Sequence, residues 1–300
     1  MVSDIAPGQI GAAIAFVPMR YRIYDEVVTA KLTCAFMADK RYPKAAARVV
    51  MSLRARHQDL LFTDSGSHEG VGHWLAGGGA SLPVQALDWR CRFKPVSAIA
   101  RKVRLPAVVD GLTDLADRSI EALRPRPAPQ KRLEMTEIGR EEFAALVPGM
   151  IARFPVRPDW TQDELLHLLG LAEENTRLGT LRYFGFIDRT GDYVGCLAAY
   201  FGPRKSVRVL DLLAFGGKEA AVAATMLAEL GAWGAVEASG GAQPHMVGAL
   251  SPHRGVSFRH RSFSCVATRF DSVKTAIERN EIYMGGLAGE GWSRLMTDFF

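Results

Sequence analysis

The chain has 300 residues, 48% of them hydrophobic and 23% charged, with a formal net charge of +5. That is an ordinary globular composition with enough length for two modest cores, and no apolar run reaches the roughly 18–20 residues that cross a bilayer. The basic residues are scattered (Arg54/Arg56, Arg90/Arg92/Lys94, Arg101/Lys102/Arg104, Lys131/Arg132, Arg259/Arg261) and form no stripe interleaved with aromatics, which argues against a nucleic-acid partner.

Taken in order, residues 11–23 and 27–38 read as two strands joined at Tyr24-Asp25-Glu26, an antiparallel hairpin. A basic elbow, residues 39–44, leads into alanines and valines at helical spacing as far as His57. A strand that passes through a loop into a helix start leaves backbone N–H groups open, a natural seat for a phosphate. Residues 59–63 read as a short buried strand, and Ser67 caps a helix that Gly77-Gly78-Gly79 ends. Residues 82–93 give a further strand, 108–123 a helix, and 124–130 a proline-rich linker.

Beyond the linker a short strand at 133–136 precedes two amphipathic helices, 141–151 and 162–174. Strands follow at 179–187, 192–201 and 206–215, then an alanine-rich helix at 218–230. A strand at 232–238, a short helix at 243–250 and a strand at 262–269 complete the pattern, and a glycine-rich tail closes on Trp292. Cys34, Cys91, Cys196 and Cys265 show no Cys-x-x-Cys spacing and read as thiols in a reducing compartment. The first residues carry no basic n-region, so a cytoplasmic protein is expected. His68 and His73 stand five apart, not the four of a zinc-binding HExxH helix, and no metal is expected.

The two halves share one order: antiparallel strands, a loop, a helix, a strand, a short helix, a strand. This order resembles the Gcn5-related N-acetyltransferase fold. The resemblance implies an α/β protein of two such domains, each a mixed, mostly antiparallel sheet flanked by helices. Residues 1–95 would form a first copy that opens at its third strand, 96–130 a connecting helix and linker, and 131–300 a second copy with its tail. It implies transfer of an acetyl or other acyl group from acetyl-CoA or another acyl-CoA to an amine of a small molecule or peptide. It implies no membrane partner and leaves room for a homo-oligomer. A non-catalytic relative, a pseudoenzyme or binding scaffold, is the rival.

In that family the loop after the fourth strand carries Arg or Gln, two residues, Gly, one residue, then Gly or Ala. The matching positions are Tyr42, Ala45 and Ala47, so Arg41, Tyr42, Pro43, Lys44 and Ala45 would line the pyrophosphate loop, with Arg41 and Lys44 as its charges. Backbone amides near Phe36, Met37 and Ala38 would polarise the thioester carbonyl. The family also places an Asn, and a Tyr seven residues on, before Gly-Phe, where Ser67, Trp74 and Gly78-Gly79 stand here. Trp74 has no proton to deliver at neutral pH. Asp64, at a strand end, would hold an amine, act as a base or satisfy loop amides. The second copy offers Phe215-Gly216-Gly217-Lys218 as its elbow, Ser251 near the tyrosine position, and Asp211 and Glu237 in strands. Either carboxylate would bind an amine if it faces the cleft.

Overall fold

A computed structural model describes residues 1–94, 96, 113 and 133–294. The expected helix at 108–123, the linker and all but two positions of the 96–130 connection lie outside the described residues. In chain order the elements are β1 (Val2–Ala6), β2 (Gln9–Ile23), β3 (Glu26–Ala38), α1 (Pro43–Ser52), β4 (Leu60–Gly66), α2 (His68–Ala76), β5 (Ala80–Ser81), β6 (Leu87–Arg92), β7 (Glu134–Ile138), α3 (Arg140–Ile151), β8 (Val156–Pro158) and α4 (Gln162–Glu173). There follow β9 (Thr180–Ile187), β10 (Tyr193–Gly202), β11 (Ser206–Ala214), α5 (Glu219–Ala232), β12 (Glu237–Gly241), α6 (Pro244–Leu250), β13 (Val256–His260), β14 (Phe263–Ala267) and α7 (Asp271–Glu278).

Contacts gather these into two units, each built from separate stretches of chain. Unit 1 takes Met1–Leu87, Ile151–Ala172 and the described part of His260–Phe300, and unit 2 the described parts of Asp88–Met150 with Glu173–Arg259. Each unit carries one mixed sheet flanked by helices, the α/β class expected.

The sheet of unit 1 runs β1-β2-β3-β4-β14-β5, with β8 also on β2. The expected hairpin is there: Ile23 pairs with Glu26 across a turn whose Tyr24 sits at φ +53°. Its pairing steps from Ala15↔Ala35 to Phe16↔Thr33, so Cys34 is the extra residue of a β-bulge. β3 pairs in parallel with β4 from Ala30↔Leu60 to Leu32↔Phe62. Helix α1 starts at Pro43, whose fixed φ and missing N–H suit a first turn. It buries Ala45 and Val49 against Ala12 and Ile14. Gly11 is what lets it approach, since a Cβ there would stand 2.7 Å from that of Ala45.

The sheet of unit 2 runs β13-β6-β12-β11-β10-β9-β7. Its core packs Val222, Met226 and Leu230 of α5 with Phe184, Phe186, Leu197, Val209 and Trp89. Three expected elements shift. The strand expected at 232–238 begins only at Glu237, because the residues before it close α5: the Trp233 amide bonds Glu229 O, Gly234 takes φ +78°, and the Ala235 amide bonds Leu230 O. The strand expected at 82–93 starts only at Leu87, after turns in which the Ala86 and Leu87 amides bond Leu82 and Val84 carbonyls. The helix expected to reach His57 stops at Ser52, and a separate 3₁₀ turn spans Ala55–His57. β1, β5, β8, β13 and α7 had no expectation.

Candidate functional site

In unit 2 the site grows from one irregularity in β11. Its pairing with β10 runs from Ala199↔Val209 to Ala198↔Asp211, so Leu210 is the extra residue of a bulge. Parallel pairing with β12 ends at Val209↔Gly240. Past that point β11 keeps β10 on one edge and turns its other edge to a gap. The gap is a narrow cleft of about 10 Å³, the room of about one water, lined among others by Trp89, Leu210, Asp211, Gln243, Met246 and Leu250. Asp211 is 3% exposed, and its Oδ1 accepts the Leu212 amide at 2.9 Å. Gln243 is 6% exposed, and among the described residues its Oε1 has no hydrogen-bond partner. A buried acceptor left without a donor costs roughly 1–3 kcal/mol, so a ligand that supplies an N–H gains by it. Glu237 instead faces Arg90 and Arg92, at 3.6 and 3.8 Å.

At the end of β11 the chain turns through Phe215-Gly216-Gly217-Lys218 into α5. Gly217 sits at φ +81°, a left-handed conformation that favours glycine. The Lys218 amide bonds Phe215 O and the Val222 amide bonds Lys218 O, while among the described residues the amides of Gly216, Gly217, Ala220 and Ala221 meet no backbone carbonyl. Lys218 is exposed at the N-cap with no side-chain cap bond. Open amides and the positive end of a 14-residue helix, beside a lysine, suit an anion.

The elbow of unit 1 differs. Asp39 accepts both the Arg41 amide (2.9 Å) and its guanidinium (2.6–3.1 Å), and that guanidinium lies 5.6 Å from the Tyr42 ring centre. The hydrogen bonds from Arg41 hold the Asp39 carboxyl below its usual range. The Tyr42 and Ala45 amides are taken by Asp39 O and Tyr42 O, and Pro43 has none. Lys44 and Ala47 are exposed, whereas Ala45 is core. Phe36, Met37 and Ala38 pair with Ile14, Ala13 and Ala12 of β2, with the Phe36 and Met37 side chains exposed.

Of the expected catalytic residues, Ser67 caps α2 by accepting the Gly70 amide at 3.1 Å. Trp74 packs on Ala55, Leu61 and Ala267. Asp64 is buried and holds a cluster of its own: its carbonyl accepts Arg261 (2.6 Å) and Ser262 (2.7 Å), and its Oδ1 accepts the amide of Glu290 (3.1 Å). Among the described residues no hydrogen bond joins Asp64, Ser67 and Trp74. Gln243 and Glu290 had no expectation. Neither carries a local signal beyond its type, although the glycines around Glu290 mark a constrained backbone.

No protein-family model matches the sequence, and no curated protein sequence matches it. Solved structures do. A Gcn5-related N-acetyltransferase from Anabaena variabilis superposes with a TM-score of 0.52 over 87% of this chain and 60% of that one, at 7% identity. A protein of Enterococcus faecalis described as a probable N-acyltransferase gives 0.53 over 86% and 59%, also at 7% identity. The fold is that of the Gcn5-related N-acetyltransferases. The chain spans about 60% of the length of these two neighbours. At 7% identity the likeness is one of backbone, so no side-chain role passes from them to this acetyltransferase fold. Among the described residues no helix is long and apolar enough to cross a membrane, and no group of three His, Cys, Asp or Glu is placed to hold a metal.

Proposed function

We propose that the protein is an acyl-CoA-dependent N-acyltransferase whose donor site is the cleft and elbow of unit 2. The observation that carries this reading is the Gly216-Gly217-Lys218 elbow, with open amides, at the end of a strand that has just left its parallel partner. The reading takes this elbow over that of unit 1, where the Asp39 carboxylate pairs with Arg41, one of the loop's cations, and would repel a phosphate.

Acyl-CoA, when bound, supplies a thioester carbonyl open to attack. The chain's own part is binding, orientation and proton handling. Lys218 and the elbow amides hold negative charge. The edge of β11 past Val209 would supply the amide that polarises the carbonyl. Gln243 Oε1 accepts an N–H, and Asp211 orients an amine and takes its proton. Trp74 and Ser251 stand where the family's phenol would be, so positioning supplies most of the acceleration. The acceptor is an amine of a small molecule or peptide. Four cysteines without a disulfide support a cytoplasmic setting.

Calorimetric titration with acetyl-CoA tests the reading. Binding should be micromolar, at least tenfold weaker in Lys218→Glu, and unchanged in Lys44→Glu. The opposite pattern moves the donor to unit 1. No binding in any of the three leaves a scaffold, the reading that the missing phenol favours.

A further inference from the structure

Acyl transfer in unit 2 makes no use of the glycine-rich tail. In unit 1 that tail is tightly seated. Gly285 and Gly286 take φ of +88° and +57°, and a 3₁₀ turn over Gly286–Ala288 brings Gly289 against Asp64, where a Cβ would overlap Oδ2. Glu290 comes next and is 1% exposed. It donates its amide to Asp64 Oδ1 at 3.1 Å, its Oε2 accepts the Ser65 hydroxyl at 2.8 Å, and its Oε1 is buried with no partner among the described residues.

Asp64 and Ser65 lie past the last parallel pair of β3 and β4, Leu32↔Phe62, and so does the bulge residue Cys34, whose thiol feels the Glu290 charge. Glu290 therefore stands in the gap between β3 and β4, the counterpart of the cleft of unit 2. The groups around it are Asp64 and Ser65 from β4, Cys34 from β3, and Arg261 ahead of β14, whose guanidinium is 3.6 Å from Asp64 Oδ2. Tyr21 of β2 faces Asp64 in turn and donates its hydroxyl to Tyr283 O. Among the described residues, Asp64 thus pairs with the Arg261 guanidinium and Glu290 feels its charge, in a buried place.

We propose that residues 285–292 are an internal plug in the cleft of unit 1, held by the proton on the Glu290 carboxyl beside Asp64 and freed when alkali removes it. With the proton in place, one carboxylate meets Arg261 and the other group is neutral. When the Glu290 carboxyl gives that proton to water, two negative charges face one cation without solvent, and the tail must move to hydrate them. Burial and the Asp64 charge push Glu290 up to about 8, which sets where release begins. The plug needs nothing from the acyl-CoA reading and stands or falls apart from it.

Hydrogen exchange followed by mass spectrometry, on the full chain between pH 6 and 10, tests it. Protection of residues 285–292, corrected for the intrinsic pH dependence, should fall at least tenfold between pH 7 and 9.5 while that of β10 holds. Glu290→Gln, which keeps a neutral group in place, should hold its protection through pH 9.5. Protection that ignores pH in the wild type, or is lost in Glu290→Gln at pH 7, overturns the plug. Should Glu290→Gln fail to fold, the carbon-13 signal of the Glu290 carboxyl in the wild type decides: titration near the ordinary 4.5 overturns it, and titration near 8 upholds it.

Discussion

Cys34 and Leu210 hold the same place in their two sheets: each is the extra residue of a bulge, just past the last parallel pair of its strand. Leu210 lines a cleft, whereas Cys34 faces Glu290. Burial first, then the Glu290 charge, pushes the Cys34 thiol up to about 12. Only the thiolate attacks alkylating reagents. Iodoacetamide at pH 8 should therefore modify Cys34 roughly a hundred to a thousand times more slowly than an unperturbed thiol. Glu290→Gln should speed it. A rate equal to that of a small free thiol would contradict this placement.

The elbow of unit 2 makes its own prediction. Reversing the charge of Lys218 should cost acetyl-CoA at least tenfold in affinity, about 1.4 kcal/mol, with the melting temperature unmoved because the side chain is exposed. Calorimetry at two salt concentrations checks it. An affinity indifferent to both Lys218→Glu and salt would mean that no phosphate sits there.

Glu290 ties stability to pH, with a sign that can be worked out. Its folded-state value, about 8, lies above its ordinary value of 4.5, so between the two the folded chain binds the extra proton. Its contribution is thus full below about 4.5 and declines as pH rises, to reach its floor above about 8. Urea midpoints from pH 5 to 9 should show the decline, and Glu290→Gln should flatten it. Glu137, held low by its hydrogen bond with Arg182, acts oppositely and loses its share only in acid.

Gly240 lets β12 pack closely on β11 and Trp89 in unit 2. A Cβ there would meet Val209 O at 2.9 Å and Trp89 Nε1 at 3.0 Å, whereas one on Gly241 would meet nothing within 4 Å. Gly240→Ala should cost about 1–3 kcal/mol of stability by overpacking, with Gly241→Ala as the mild control on stability. Equal melting temperatures for the two variants would refute it.

Arg182 forks onto Glu137 at 2.8 and 2.5 Å and lies 4.8 Å from the Phe201 ring centre and 5.2 Å from that of Phe184. Lysine keeps the charge but loses the fork and the flat face, so Arg182→Lys should cost about 1 kcal/mol. The urea midpoint reads this directly. A lysine variant as stable as the wild type would show that charge alone matters.

How much of this was legible in the sequence depended on distance along the chain. The β2–β3 hairpin, the start of α1 at Pro43 and the Ser67 cap are local, fixed by alternation, proline and a capping hydroxyl. The start of β12 was misplaced because Gly234 closes α5 at residues whose apolar run mimics a strand. The bulges at Cys34 and Leu210 were hidden, since a bulge exists only relative to a partner's register. Asp64 stood out for its place at a strand end, but its partner Glu290 comes from 226 positions later. No spacing rule links the two.

The discontinuous make-up of each unit also has a meaning in time. β4 finds its antiparallel neighbour in β14, about 200 residues downstream. At 5–20 residues per second a ribosome delivers β14 roughly 10–40 s after β4. Throughout that interval the nascent chain carries Leu60–Gly66 with one strand edge open, a template for pairing with other chains. Newly made protein should accordingly lean on chaperones far more than the finished fold does, and slow translation should raise its loss to aggregates.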